Sequence, residues 1–233
     1  MAKKTKSLIE VARKLVVITE PRSFVSEQFR TARTNINFSK PDGELTTLLF
    51  TSSVQAEGKS TSSANLACLF AQEGKKVVLI DADMRKPTVH YTFQLTNTVG
   101  LSNILTKKIP VMDSIKETNI ENLQIITSGP IPPNPAELLS AKSMDEMIEE
   151  LKKHFDLIIF DAPPVLSVTD AQILANKSEG TVLVISAGAT DKNSVLKAKE
   201  LLTASKAKII GTVLNNFKLE KDHYYYQYYG SEE

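Results

Sequence analysis

The stretch that most constrains the fold is Ser53-Val54-Gln55-Ala56-Glu57-Gly58-Lys59-Ser60-Thr61. An apolar run, 45–52, precedes it and reads as a buried strand. A helical pattern from Lys59 to about residue 72 comes directly after it. Strand, tight turn, Gly-Lys-Ser and helix together form the layout of a phosphate-binding loop. In that layout backbone N–H groups and the positive helix end converge on phosphate oxygens. Lys59 is placed to reach the outer phosphates and the Ser60 hydroxyl to ligate Mg²⁺. Ala56, Glu57, Gly58 and Thr61 complete the expected cradle. The leading glycine of the usual motif is absent, since position 53 is Ser, so the rest of the chain must support the reading.

That support begins with alternation. After a turn at Lys40-Pro41-Asp42-Gly43, strands are expected at 45–52, 75–81, 123–127, 156–161, 180–186 and 207–215. Helices are expected at 59–72, from Asn134 to about Lys153, at 168–177 and at 191–204, with short ones at 100–105 and 111–116. Such alternation predicts an α/β fold with a mostly parallel central sheet and helices on both faces. Upstream, Ser23 opens a helix to about Phe38, with Val25, Phe29, Ala32 and Ile36 as its buried stripe. Its other side carries Glu27, Arg30 and Arg33, which composition alone reads as a solvated face. Leu15–Ile18 reads as an edge strand or a docking segment.

Two further strands deliver carboxylates to the edge where ligands of open α/β sheets bind. Val78-Leu79-Ile80 ends in Asp81, with Asp83 two residues on. Leu157-Ile158-Ile159-Phe160 ends in Asp161. Phosphoryl transfer needs a metal to neutralise phosphate oxygens and a group to orient or deprotonate the nucleophile. Lys59, Ser60, Asp81, Asp83 and Asp161 supply those parts, with Ser60, Asp81 and Asp161 as the metal set and either Asp81 or Asp83 receiving the nucleophile's proton.

Composition excludes several other chemistries. A net charge of +1 over 233 residues gives no field that would select nucleic acid or a membrane surface. The single cysteine, Cys68, allows no internal disulfide, suits a reducing cytosol and reads as core. His90, His154 and His223 have no ligand spacing. Lys3, Lys4 and Lys6 form a basic arm, but Glu10, Arg13 and Lys14 interrupt the segment after it. No signal peptide is legible there, and an intracellular chain is expected. Five of the six tyrosines, Tyr224, Tyr225, Tyr226, Tyr228 and Tyr229, sit in the final ten residues, where no core would need them.

With these residues in view, the chain resembles the bacterial tyrosine kinases (BY-kinases) of capsule and exopolysaccharide synthesis, in the form where the kinase is a separate cytoplasmic polypeptide. The marks are Glu27-x-x-Arg30-x-x-Arg33, the loop 53–61, Val78 through Pro87, Gly129 through Leu139, Ile158 through Pro164, and the tyrosine cluster. The resemblance implies an N-terminal arm (1–20), a single P-loop kinase domain (21–217) and a flexible tail (218–233) autophosphorylated in trans. It implies ATP and Mg²⁺ as cofactors, and it turns Glu27, Arg30 and Arg33 into the interface of a ring-like homo-oligomer, an octamer. The implied partners are a transmembrane adaptor of the polysaccharide co-polymerase type and a cognate tyrosine phosphatase. The implied location is cytoplasmic, peripheral to the inner face of the membrane through the adaptor. The basic arm and Leu15–Ile18 are candidate adaptor contacts, with a solubilising tail as the alternative role. Arg85 is expected near the acidic strand end or a phosphate, and Asn215, after the last strand, is placed like the adenine-reading Asn of related ATPases. Gln55-Ala56 departs from the family's Pro-Gly, and a Cβ at Ala56 predicts weakened phosphate binding or rate. Two rival readings are a ParA/MinD-like ATPase switch, whose second loop lysine is replaced here by Val54, and a nucleotide-dependent scaffold.

Overall fold

In the computed structural model, which describes residues 12–40 and 43–217, seven strands form one sheet in the order β3-β4-β2-β5-β1-β6-β7. The strands are β1 (Thr47–Ser52), β2 (Val77–Asp81), β3 (Lys116–Glu117), β4 (Leu123–Ile126), β5 (Leu157–Asp161), β6 (Gly180–Ser186) and β7 (Ile209–Asn215). All neighbours pair in parallel except β3 with β4. Every residue of β1, β2 and β5 is buried, as expected for central strands covered on both faces. Two apolar clusters account for the cover. One lies around Leu49, Ile80, Met147 and Phe160, and the other around Phe50, Leu66, Phe70 and Ile159. Cys68 belongs to the second, wholly buried.

The helices are α1 (Val16–Thr19), α2 (Phe24–Phe38), α3 (Lys59–Gln72), α4 (Val89–Thr92), α5 (Leu101–Leu105), α6 (Pro135–Ser140), α7 (Lys142–Leu151), α8 (Asp170–Lys177) and α9 (Lys192–Ala204). Ser23 caps α2 by accepting from the Ser26 N–H at 3.2 Å. From Ser62 to Ala71 every α3 residue is buried. The helix after the loop is thus a core element, which fixes the loop before it.

Several local expectations give way to packing. Leu15–Ile18 is not an edge strand. Residues 16–19 form the short α1, and Val16 and Val17 pack into the chain's own core, 8% and 1% exposed. On α2 the buried set is Ser26, Phe29 and Ile36, while Val25 is 49% exposed. The stripe is rotated because the Ser26 hydroxyl donates inward, to the carbonyls of Val16 and Glu20. The helix expected from Asn134 to Lys153 breaks at Ala141, whose ψ of 154° is extended. No Pro or Gly marks the break. It lets Leu139 on one piece and Met144, Met147 and Leu151 on the other reach the same core. In place of a helix at 111–116 there is a single turn, Met112–Ser114, after which Lys116 and Glu117 join β4 as an antiparallel edge.

Candidate active site

The Asp81↔Asp161 register of β2 and β5 puts both acids side by side at the carboxyl edge of the sheet. Next to them β1 ends and the loop begins. Gly58 caps α3 at φ 96°, and a Cβ there would fall 2.0 Å from the Asn215 amide nitrogen. Backbone conformation and close approach both require glycine at this position. Lys59, first in the helix, extends its ammonium between two strand ends. Its Nζ lies 3.1 Å from Asp83 Oδ2 and 3.3 Å from Asp161 Oδ1, and it donates to the Ser60 hydroxyl at 3.2 Å.

The three acids differ in surroundings. Asp81 is fully buried, and its Oδ2 accepts the N–H groups of Thr88 and Val89 at 2.9 Å each. Asp161 is also fully buried. One carboxylate oxygen of each, Asp81 Oδ1 and Asp161 Oδ2, has no hydrogen-bond partner. Asp83 is 6% exposed and lines a cavity of about 550 Å³ together with Ala56, Gly58, Lys59, Ser60 and Thr61. Burial, then the charge of Asp161, pushes the Asp81 carboxyl up to about 8, against the pull of the Val89 N–H and Lys59. Burial likewise raises Asp161, with Lys59 opposing. Burial works against the Lys59 ammonium, but Asp161, Asp83 and Asp81 outweigh it and hold its pKa above the ordinary lysine value. With three carboxylates to one ammonium, full ionisation leaves negative charge in excess.

That excess and the two orphaned oxygens fit a divalent cation. Among the described residues no group of three His, Cys, Asp or Glu side chains is arranged to hold a metal alone. The donor set is instead one or two carboxylates and the Ser60 hydroxyl, the kind that binds Mg²⁺ jointly with substrate phosphates.

The other residues singled out in the sequence divide. The Glu57 side chain turns inward. It is 1% exposed, and its carboxylate accepts from the Val54 N–H at 2.7 Å, the Ser186 N–H at 3.4 Å and the Thr190 hydroxyl. Asn215 donates to the Glu57 carbonyl at 3.0 Å. Both therefore pin the loop to the ends of β6 and β7, and Asn215 also lines the cavity. Arg85 lines it too, with its guanidinium forked onto the buried Asp170 at 2.9 and 3.0 Å. Sequence reasoning missed Asp170, because an acid in the first turn of a helix is ordinary. Ala56 sits at φ 63°, left-handed for a residue with a Cβ. On the flank of α2, Glu27 pairs with Arg30, while Arg33 leans onto α3, donating to the Leu69 carbonyl at 3.3 Å. Tyr224, Tyr225, Tyr226, Tyr228 and Tyr229 lie outside the described residues. Among the described residues no helix is long and apolar enough to cross a membrane.

A parallel sheet with Gly-Lys-Ser at one strand end and strand-end acids beside it defines a P-loop nucleotide-binding protein. Residues 56–215 match the model of the AAA domain family. The chain is 52% identical over 221 residues to the tyrosine-protein kinase YwqD of Bacillus subtilis (strain 168), covering 95% of this chain and 93% of that one. It is 44% identical over 190 residues to the tyrosine-protein kinase CpsD of Streptococcus agalactiae serotype III (strain NEM316), covering 81% of each. Among solved structures, the chimerical protein CapA2B2 superposes with a TM-score of 0.85 at 42% identity, covering 89% of this chain and 93% of that one. The kinase domain of the Escherichia coli tyrosine kinase ETK gives 0.83 at 30% identity, covering 90% and 84%. The chain belongs to the bacterial tyrosine-protein kinases. The cell division ATPase MinD of Pyrococcus furiosus, at 24% identity and a TM-score of 0.65 over 76% of this chain and 75% of its own, shares the fold.

Proposed function

We propose that this kinase transfers the γ-phosphoryl group of Mg-ATP to the tyrosines of its own C-terminal cluster, Tyr224 to Tyr229, each tail being served by a neighbouring subunit. The observation that carries the reading is the placement of Lys59 between Asp83 and Asp161, with Asp83 at the cavity wall and Asp81 behind it. Lys59 and the loop N–H groups hold the outer phosphates, and Ser60, Asp81 and Asp161 would hold Mg²⁺, which neutralises phosphate charge. The phenol oxygen attacks the γ-phosphorus as the bond to the β,γ-bridging oxygen breaks, and the phenol proton passes to a carboxylate. Asp83 is the better acceptor, because it lines the cavity while the fully buried Asp81 does not. Arg85 and Asn215 border the phosphate and base ends of the same cavity.

The wider role grows out of the same reading. A ring built through Glu27, Arg30 and Arg33, an octamer, would seat one subunit's tail in the next subunit's site. Each phosphotyrosine adds about −1.5 to −2 charges, so a fully modified tail favours release, and a phosphatase resets it. A transmembrane adaptor of the polysaccharide co-polymerase type brings the kinase to the inner membrane face, where the cycle controls capsule or exopolysaccharide synthesis.

Intact-mass measurement after incubation of the full chain with Mg-ATP tests the central step. Wild type should gain phosphate within 224–229. Asp83→Asn should lose roughly 10²- to 10⁴-fold in rate, the range for removing a general base, while binding nucleotide as before. ADP release without any gain in mass would replace the kinase reading with that of an ATPase switch.

A further inference from the structure

The N-terminal segment before α2 does more than fill the core. Asn65, wholly buried on the loop helix α3, clips it in place. The Asn65 Oδ1 accepts the Val17 N–H at 3.1 Å, and its Nδ2 donates at 2.9 Å both to the Lys14 carbonyl and to the Thr61 carbonyl. One side chain thus ties the strap to the residue just past the Gly-Lys-Ser motif. A residue earlier, the Arg13 N–H donates to the Thr92 hydroxyl at 3.0 Å, so the strap bridges α3 and α4. Arg13 lines the same cavity as Lys59, Ser60 and Thr61. Among the described residues no carboxylate lies within ion-pair distance of it, and the nearby Asp83 is already engaged by Lys59 and by the Lys86 N–H.

We propose that Arg13 is a nucleotide-phosphate contact, carried to the site in cis by a strap that Asn65 locks onto the loop helix. A planar guanidinium with several donors suits phosphate oxygens. The backbone on both sides of it is hydrogen-bonded, so little ordering is left for binding to demand. The proposal rests on the nucleotide reading of the loop, not on the identity of the phosphate acceptor.

Titration of the full chain with Mg-ADP, and with adenosine in competition, tests it. Arg13→Ala keeps the backbone bond to Thr92 and should weaken Mg-ADP by about tenfold, the loss expected for one charge-assisted hydrogen bond. Adenosine affinity should not change, and Arg13→Lys should recover part of the loss. Asn65→Ala, which frees the strap, should reproduce the same phosphate-selective defect. Unchanged Mg-ADP affinity in Arg13→Ala would overturn the proposal, as would an equal loss for adenosine, which marks a merely structural role. Failure of the wild-type chain to bind Mg-ADP would overturn the nucleotide reading along with it.

Discussion

Two cavities open at opposite edges of the sheet, and the larger is the less informative. The one near the amino ends of the strands, about 920 Å³, is walled by the end of α2, the end of α3 and the 43–45 turn, with Phe38, Lys40, Glu44 and Lys75 around it. Its charged groups form ordinary surface pairs, such as Lys75 with Glu44 at 2.9 Å, where the glutamate is 69% exposed. The smaller cavity, about 550 Å³, has buried groups in its wall or directly behind it, and two of them, Asp81 and Asp161, each leave a carboxylate oxygen without a partner. An unsatisfied buried carboxylate is costly and persists where a ligand completes it. Volume is a by-product of how helices end, whereas concentrated buried charge has to be built.

The comparison can be broken most directly at Lys59. Lys59→Met should lower the phosphorylation rate by at least about 10²–10³-fold, as removal of a principal charge-stabilising donor does. The intact-mass assay reads this, with circular dichroism confirming the fold. A variant within tenfold of wild type would mean the charge cluster is structural.

A second test uses pH. The raised Asp81 carboxyl holds a proton in the folded chain that the unfolded chain releases near pH 3.8. Between there and about 8 the unfolded state binds fewer protons, so this group's contribution to stability falls as pH rises. Asp81→Asn keeps an acceptor for the Thr88 and Val89 N–H groups and removes the titration. Without nucleotide or metal, its unfolding free energy in urea should gain on wild type from pH 5 to pH 8, by an amount on the order of 1–4 kcal/mol. A constant difference would show that Asp81 is not the group being strained.

Ala56→Gly relieves a left-handed alanine. It should stabilise the folded chain by up to about 1 kcal/mol once the greater entropy of unfolded glycine is subtracted. If the Cβ also crowds phosphate, Mg-ADP affinity should rise in the same variant. The smallest effect belongs to the other cavity. Phe38, 73% exposed, should be replaceable by Ala within about 0.5 kcal/mol and without change in phosphorylation rate. A large loss of activity there would show that the larger cavity serves the reaction.

Much of the site was legible because its signals are local. Strand, turn, Gly-Lys-Ser and helix are contiguous, and an acid closing an apolar run marks a strand end wherever the strand lies in the sheet. Other features depended on partners remote in sequence. Glu57 read as a cradle residue, but its carboxylate is bound by Ser186 and Thr190, more than a hundred positions away. Arg85 read as a partner of the acidic strand end or of phosphate, and its forked pairing with Asp170, 85 positions away, was not legible. Leu15–Ile18 has strand-like composition, and burial against α2 and α3 made it a helix.

The sequence by itself therefore determined the class of chemistry, because phosphate binding needs only a short contiguous backbone motif and acids at strand ends. It also determined the parallel sheet, because both-face burial leaves continuous apolar runs. Tertiary structure alone decided which acid faces the cavity. That choice comes from the pairing of β2 with β5 and from the Thr88 and Val89 N–H groups that bind the buried Asp81. It alone decided that Asn65 brings Arg13 to the loop, since hydrogen bonds across 48 and 51 positions leave no periodic trace in the chain that makes them.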